Sequence, residues 1–443
     1  MTPQDLFSAA VEHHRAGRLD EAGALYRRIL AFDPQQVAVW NHLGLAGRAE
    51  RAIGRAVRLA PALAEGHSNL AALLRASGAV ERAVESLRRA AVLQPALAAP
   101  LNNLGALERE QGRIGPAATL FRRAALLSPG NPDIQCNLGA ALLQQGDYAE
   151  GWRRHEWRLH PDAQTAPVRR AFGRPCWQGE DLAGRTLLLH AEQGLGDTLQ
   201  FIRFAAPIAA LGARVLVEAP ASLTRLLATA PGVASVHPAG EPLPEFDFHL
   251  PLMSAPHRLG VTLETLPAQT PYLRAPADRA EAWRERLSGW PGLRVGLVWS
   301  GNPALKLAWS ADANARRSIP PEQLRPLLDR PGITFFSLQK DASTEDLVDF
   351  MGEMEDFADT AALVEALDLV ISVDTSVAHL AGALNKPVWI LSRFDGCWRW
   401  LGHRADSPWY PSARLFHQAR RDDWSPVVGE ISTALFERMK KTH

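Results

Sequence analysis

Along the first third of the chain, apolar residues recur at three- and four-residue intervals, and the apolar stretches are closed by Pro34, Pro61, Pro95 and Pro129. That spacing is the mark of amphipathic helices with one stripe facing a core. The prolines stand 27, 34 and 34 residues apart, so the helices belong to a repeating unit. Counted back from Pro95 and Pro129, the small positions are Ala83 and Ala90, then Ala117 and Ala124, with Leu87 and Phe121 as larger knobs between them. The first helices of the units carry Asn69-Leu70-Ala71 and Asn103-Leu104-Gly105, echoed at Asn41-His42-Leu43-Gly44 and Asn137-Leu138-Gly139. A small residue there lets two helices approach closely. The short first interval predicts a second unit abbreviated by about two turns, with the loss between Gly44 and Ala49. The stretch from Gly146 to Trp152 reads as a divergent last unit, running into Trp157 and Arg158, and is expected to cap the array against the next domain.

From Arg185 the pattern changes to short apolar runs followed by amphipathic stretches, which signals βα units and parallel sheets. Strands are predicted at 186–191, 214–217, 293–299, 333–338, 369–373 and 387–391, with a helix from Thr198 to Leu211 closed by Gly212. The expected architecture is α followed by α/β: a helical array over 1–160, a linker over 161–184, and two Rossmann-like lobes over 185–290 and 291–443. The lobes are joined near Trp283 to Pro291, and the final helix, Gly429 to Lys441, is expected to return to the first lobe. Ligands of such folds sit beyond the carboxyl ends of the strands.

Three of those loops carry candidate chemistry. The first strand runs into Glu192-Gln193-Gly194-Leu195-Gly196-Asp197-Thr198 at a helix start, where glycines admit close backbone approach and the helix end favours an anion. A dinucleotide fingerprint would need a third glycine where Leu199 stands, so NAD binding is rejected. Asp197 is the candidate general base, against the plainer role of a helix cap. The penultimate strand runs into Asp374-Thr375-Ser376-Val377-Ala378-His379, where hydroxyls and free N–H groups can hold a diphosphate without metal. Ser300 and Asn302 open a long polar loop containing Lys306, Arg316 and Arg317, cations suited to a leaving diphosphate. Gln339 ends the next strand, within reach of a base or ribose. Near the C-terminus, Trp398, Arg399 and Trp409 are candidates for sugar stacking or for lobe packing, and Gln193 for acceptor contact.

Composition narrows the classes. Lys plus Arg and Asp plus Glu both total 48, so no overall basic field gathers nucleic acid. The three cysteines lie far apart, without metal-ligand spacing, so neither a metal nor a disulfide framework is expected. The sequence shows no leader pattern and no long uninterrupted apolar run, which points to a cytoplasmic protein without a transmembrane segment.

Thirty-four residues is the tetratricopeptide period. Gly194 to Thr198 and Asp374 to Ala381, in that order, resemble the first- and second-lobe motifs of glycosyltransferase family 9, the heptosyltransferase-like enzymes, in the branch that carries tetratricopeptide repeats. The resemblance spans roughly Arg185 to Val428. It implies a GT-B fold and metal-independent inversion at an anomeric carbon, with Asp197 as base and Thr375 and Ser376 on the donor phosphates. The segment 304–315 is longer than usual for this branch, which leaves the phosphate-binding cation open among Lys306, Arg316 and Arg317. The leading expectation is sugar transfer from a nucleotide-activated donor to Ser or Thr of a protein, such as flagellin, held on the array. The alternatives are transfer to a lipid-linked or envelope saccharide, and a non-catalytic adaptor. The plainer alternative for the array is a homodimer or packing contact.

Overall fold

The computed structural model describes residues 2–164, 170, 172–301, 314–340 and 344–442, and the chain divides into two compact units, Met1–Ala141 and Leu142–His443. The first is helical. Its elements are α1 (Pro3–Arg15), α2 (Leu19–Phe32), α3 (Val37–Gly47), α4 (Glu50–Leu59), α5 (Ala64–Ala76), α6 (Val80–Leu93), α7 (Ala98–Glu110), α8 (Ile114–Leu127) and the start of α9 (Pro132–Gln145). Successive helices pack as antiparallel pairs, α1 with α2 through α7 with α8. The small positions read from the sequence, Ala83, Ala90, Ala117 and Ala124, are fully buried, with Leu87 and Phe121 between them. Gly105 is required by this packing, since a Cβ there would come within 2.8 Å of the Phe121 ring.

The second pair is short. Its helices have 11 and 10 residues against 13 and 14 in α5 and α6. Its connecting turn also loses a residue, so the missing heptad is spread over both helices rather than taken from one place. In neighbouring units the turn holds a left-handed glycine, Gly78 or Gly112, where the abbreviated unit places Arg48 at φ 46°. A side chain there costs about 1–2 kcal/mol relative to glycine. Between units, Asn69 Nδ2 donates to Asn41 Oδ1 and Asn137 Nδ2 to Asn102 Oδ1, each at 3.1 Å, so side-chain amides join one first helix to the next.

The second unit starts inside α9, earlier than residue 160. Leu143, together with Tyr148 and Trp152 of α10 (Tyr148–His155), is buried in the core of the lobes. The first lobe's sheet contains β1 (Thr186–His190), β2 (Arg214–Ala219), β3 (Val233–Pro238) and β4 (Phe248–Pro251) in the order β3-β2-β1-β4, all parallel. The second contains β5 (Leu293–Val298), β6 (Ile333–Ser337), β7 (Val348–Asp349), β8 (Leu369–Val373), β9 (Val388–Ser392) and β10 (Ala413–His417) in the parallel order β10-β9-β8-β5-β6-β7. Central strands such as β8 and β9 are buried on both faces, which is why they read as continuous apolar runs.

Three expectations change. The helix predicted from Thr198 to Leu211 is broken into α11 (Leu195–Phe201), a tight turn and a short helix, Ala205–Ala209. Pro207 accounts for the break, because its ring excludes the carbonyl four residues earlier and it has no N–H to give. The stretch read as the joint between lobes holds the last turns of a helix, Ala277–Leu287, that packs on Phe357–Ala366 of the second lobe. The final helix, Ser425–Thr442, does not turn its apolar stripe to the first lobe. Val427, Val428, Ile431 and Leu435 lie in one core with Val295, Ile371 and Leu391 of the second sheet.

Candidate active site

The loop after β1 and the loop after β8 each open a helix, and the two helix starts meet. α11 packs on the helix Ser376–Ala383. A Cβ on Gly196 would lie 2.9 Å from His379 and 3.4 Å from the Ser376 Cα. The glycine predicted for ligand approach is thus needed for the approach of the two lobes. Gly194 caps α11, and its N–H donates to Asp197 Oδ2 at 3.0 Å. The Thr198 hydroxyl donates to the Gly194 carbonyl at 3.2 Å and is buried in the turn, while Gln193 is exposed at the loop tip.

Asp197 also receives Arg399 of the second lobe, through its other oxygen. The same guanidinium donates to Gln200 Oε1 at 2.5 Å and lies 4.2 Å from the Trp398 ring centre. Burial works against the Arg399 charge, and Asp197, Cys397 and Asp374 together hold it above the ordinary guanidinium range. Arg399 is therefore a fixed cation between the lobes.

In the second lobe Asp374 follows β8, Thr375 caps the helix with extended backbone, and its hydroxyl lies 3.0 Å from that of Ser372. Arg317 donates to the Asp374 carbonyl at 2.9 Å and to Asn314. Burial alone would raise the Asp374 carboxyl, but the cations Arg399, Arg317 and Arg393 around it help keep it below the usual carboxylate value. Arg316 is paired with Asp395, which also receives Arg393 at 2.8 Å. Of the three candidate cations, Arg317 thus stands beside the helix start, Arg316 belongs to an ion pair, and Lys306 lies outside the described residues, as does Asn302. The Gln339 side-chain oxygen accepts the Ser300 N–H at 3.0 Å, which ties the ends of β5 and β6 together.

His379 is buried, with Nδ1 2.9 Å from the Tyr410 hydroxyl and Nε2 3.9 Å from Asp374 Oδ1. Burial drives its imidazole down to about 3, so it is neutral. Trp409, a candidate for sugar stacking or for lobe packing, has no exposed surface and takes the second role. It packs among Tyr148, Trp152 and Phe201, because the chain after Ser407 turns into the shared core. Trp398 meets Trp152 edge-on at 5.3 Å and retains partial exposure.

Sequence reading missed the polar groups that hold these loops. Arg158, buried, donates to Glu156 and Glu192 at 2.7 Å and to Ser254 at 2.8 Å. It thereby fixes the start of the Glu192–Thr198 loop, and burial nevertheless pushes the Glu192 carboxyl up. Arg203 donates to the Gln200, Pro267 and Trp409 carbonyls and to the Tyr272 hydroxyl, under aromatic faces. The more distant of these partners, such as Glu192 and the Trp409 carbonyl, lie 34 and 206 residues away along the chain, so only position in the fold reveals them. Among the described residues no cluster of three His, Cys, Asp or Glu is arranged to hold a metal ion, and no helix is long and apolar enough to cross a membrane.

Residues 337–391 match the model of glycosyltransferase family 9 (heptosyltransferase), a segment that includes Gln339, Asp374, Thr375, Ser376 and His379 but not the Asp197 loop. Residues 102–151 match the tetratricopeptide repeat. Protein FlbA of Caulobacter vibrioides is 30% identical over 327 residues, which cover 66% of this chain and 53% of FlbA. The chain thus spans about half the length of that relative. Among solved structures, MamA is 21% identical with a TM-score of 0.30, covering 34% of this chain and 92% of its own. TTC0263, a thermophilic TPR protein of Thermus thermophilus, is 21% identical with a TM-score of 0.33, covering 36% and 92%. The tetratricopeptide match thus falls in the helical part of the chain, and the segment that is similar to glycosyltransferase family 9 carries the Asp374–His379 helix start.

Proposed function

We propose that the chain is an inverting, metal-independent glycosyltransferase that moves a sugar from a nucleotide-activated donor to a Ser or Thr hydroxyl of a protein, such as flagellin, bound by the array. The observation that carries this reading is the meeting of two helix starts, one bearing Asp197 and the other the Asp374–Ser376 loop. The second offers N–H groups and hydroxyls to the donor's diphosphate, with Arg317 beside it. As the acceptor oxygen bonds to the anomeric carbon, its proton passes to Asp197. The bond to the diphosphate breaks on the opposite face, and the departing charge is met by the helix start and the fixed arginines. Arg399 holds the Asp197 carboxylate through one oxygen, and the Gly194 N–H orients the other.

The amides running between first helices support a polypeptide acceptor. An asparagine side chain offers the same donor and acceptor as a peptide group, and Asn69 and Asn137, half-buried on first helices, stand at equivalent positions two units apart. Cysteines held as thiols rather than disulfides suit a cytoplasmic setting. A saccharide acceptor, lipid-linked or of the envelope, is the second reading, favoured by the heptosyltransferase description of the matched family.

Intact-mass analysis of co-expressed acceptors, flagellin first, tests the proposal. A sugar increment is expected with the native chain and none with Asp197→Asn, while calorimetry still registers nucleoside diphosphate binding to the variant. Undiminished transfer by Asp197→Asn would remove the base assignment, and an unmodified protein beside a modified saccharide would move the acceptor to the second reading.

A further inference from the structure

The His379 imidazole is buried, with 5% of its surface left exposed. Trp400 stacks on its face at 5.6 Å and 17°, Gly196 lies at its Cδ2 edge, Tyr410 at Nδ1 and Asp374 toward Nε2. Which nitrogen carries the proton is decided by the hydroxyls behind it. Tyr272 has a single proton, and its oxygen lies 2.9 Å from the Leu199 carbonyl, an acceptor that can take nothing else from it. The Tyr272 oxygen in turn receives Arg203 Nη2 at 2.9 Å. Tyr410 then has two possible acceptors, the already engaged Tyr272 oxygen at 3.5 Å or His379 Nδ1 at 2.9 Å. The shorter bond favours the imidazole.

We propose that Tyr410 is a positioning residue that fixes His379 as the Nε2–H tautomer, so that the ring presents a neutral hydrogen-bond donor to the Asp374–Ser376 loop. The inference rests on the reading of that loop as a diphosphate site. Its chemical content is specific. A neutral donor stabilises the oxygens of a leaving diphosphate without placing a full charge in a buried position, and without a proton that the leaving group could remove readily. Burial keeps both partners in these states, holding the Tyr410 phenol protonated and the imidazole uncharged. The orienting hydrogen bond on the far nitrogen is the usual means by which a protein selects a histidine tautomer.

Long-range nitrogen–proton correlation spectra of the full-length chain labelled at histidine test this directly, the His379 signals being identified by their loss in His379→Gln. In the native protein Nδ1 should resonate as an unprotonated nitrogen and Nε2 as a protonated one. In Tyr410→Phe, which keeps the ring that fills the space beside Gly382, the two tautomers should mix. Titration with UDP, GDP, ADP and CMP should move the Nε2 signal for the nucleotide that binds, with affinity for it lowered about three- to ten-fold in Tyr410→Phe, as for loss of one hydrogen bond. A protonated Nδ1 in the native chain, or an unchanged tautomer in Tyr410→Phe, overturns the role of Tyr410 whatever the nucleotides do. A correct tautomer whose Nε2 signal no nucleotide perturbs overturns instead the phosphate reading of the loop and the donor role built on it.

Discussion

Among the described residues, the buried polar side chains of the helical array are Asn41, Ser68 and Gln135, all uncharged, whereas the two-lobed unit buries Arg158, Arg203, Arg399, Glu218, Asp359, His190 and His379. A core of alanines and leucines assembles at little electrostatic cost. A buried charge costs several kcal/mol unless partners are arranged around it. The array therefore spends its sequence on shape, and the lobes spend theirs on holding charged groups in fixed places. Of these, Arg399 lies at the helix start of Asp197 and His379 beside Asp374.

The largest expected effect lies in the lobes: Asp197→Asn should lower transfer by about 10²–10⁴-fold, measured as the rate of acceptor mass gain, with a smaller loss arguing that the carboxylate only caps α11. In the array the corresponding large effect is on stability. Phe121→Ala should cost about 3–5 kcal/mol in urea unfolding followed by helical circular dichroism, and the cost should not change with pH.

The lobes should differ in just that respect. His379 and His190 are both held by burial at about 3, below the ordinary 6.5. Between those values the unfolded chain binds more protons than the folded one. The stabilisation is thus complete above 6.5 and is lost as pH falls toward 3, at up to about 1.4 kcal/mol per pH unit for each histidine. Of the thirteen tryptophans only Trp40 precedes residue 142, so indole fluorescence reports the lobes. Its urea midpoint should fall between about pH 7 and about pH 5, and fall less in His379→Gln. An equal fall in both would erase the contrast between the units. The smallest effect is that of Asn69→Ala, which removes the bond to Asn41 and should cost about 0.5–1.5 kcal/mol while leaving nucleotide affinity unchanged and weakening capture of a protein acceptor in pull-down.

The same contrast governs what was legible in the chain. The array follows from local rules, because the residue that fills each gap, such as Leu87 or Phe121, lies a fixed number of positions from the alanines it meets. β1, β8 and β9 were equally plain, being apolar on both faces. β3 and β4 were not, since their partly exposed residues and prolines hide the pattern, and β7 has only two residues. Asp197, Asp374 and His379 could be singled out from glycine and hydroxyl neighbours at strand ends. Their holders could not: Arg399 is 202 residues from Asp197, and Tyr410 is 31 from His379, with nothing periodic between them. Trp409 left two readings open, because an aromatic residue beside polar ones reads the same whether it faces a ligand or a core.

The apolar core that runs through both lobes has a consequence for how the molecule comes apart. Leu187 and Phe204 of the first lobe, Val370 and Ile390 of the second, and Trp152 of α10 belong to one continuous cluster. Neither sheet can lose its packing without exposing residues that the other needs covered. Residues 142–443 should therefore melt as a single cooperative unit despite having two sheets, and calorimetric and van't Hoff enthalpies for that transition should agree.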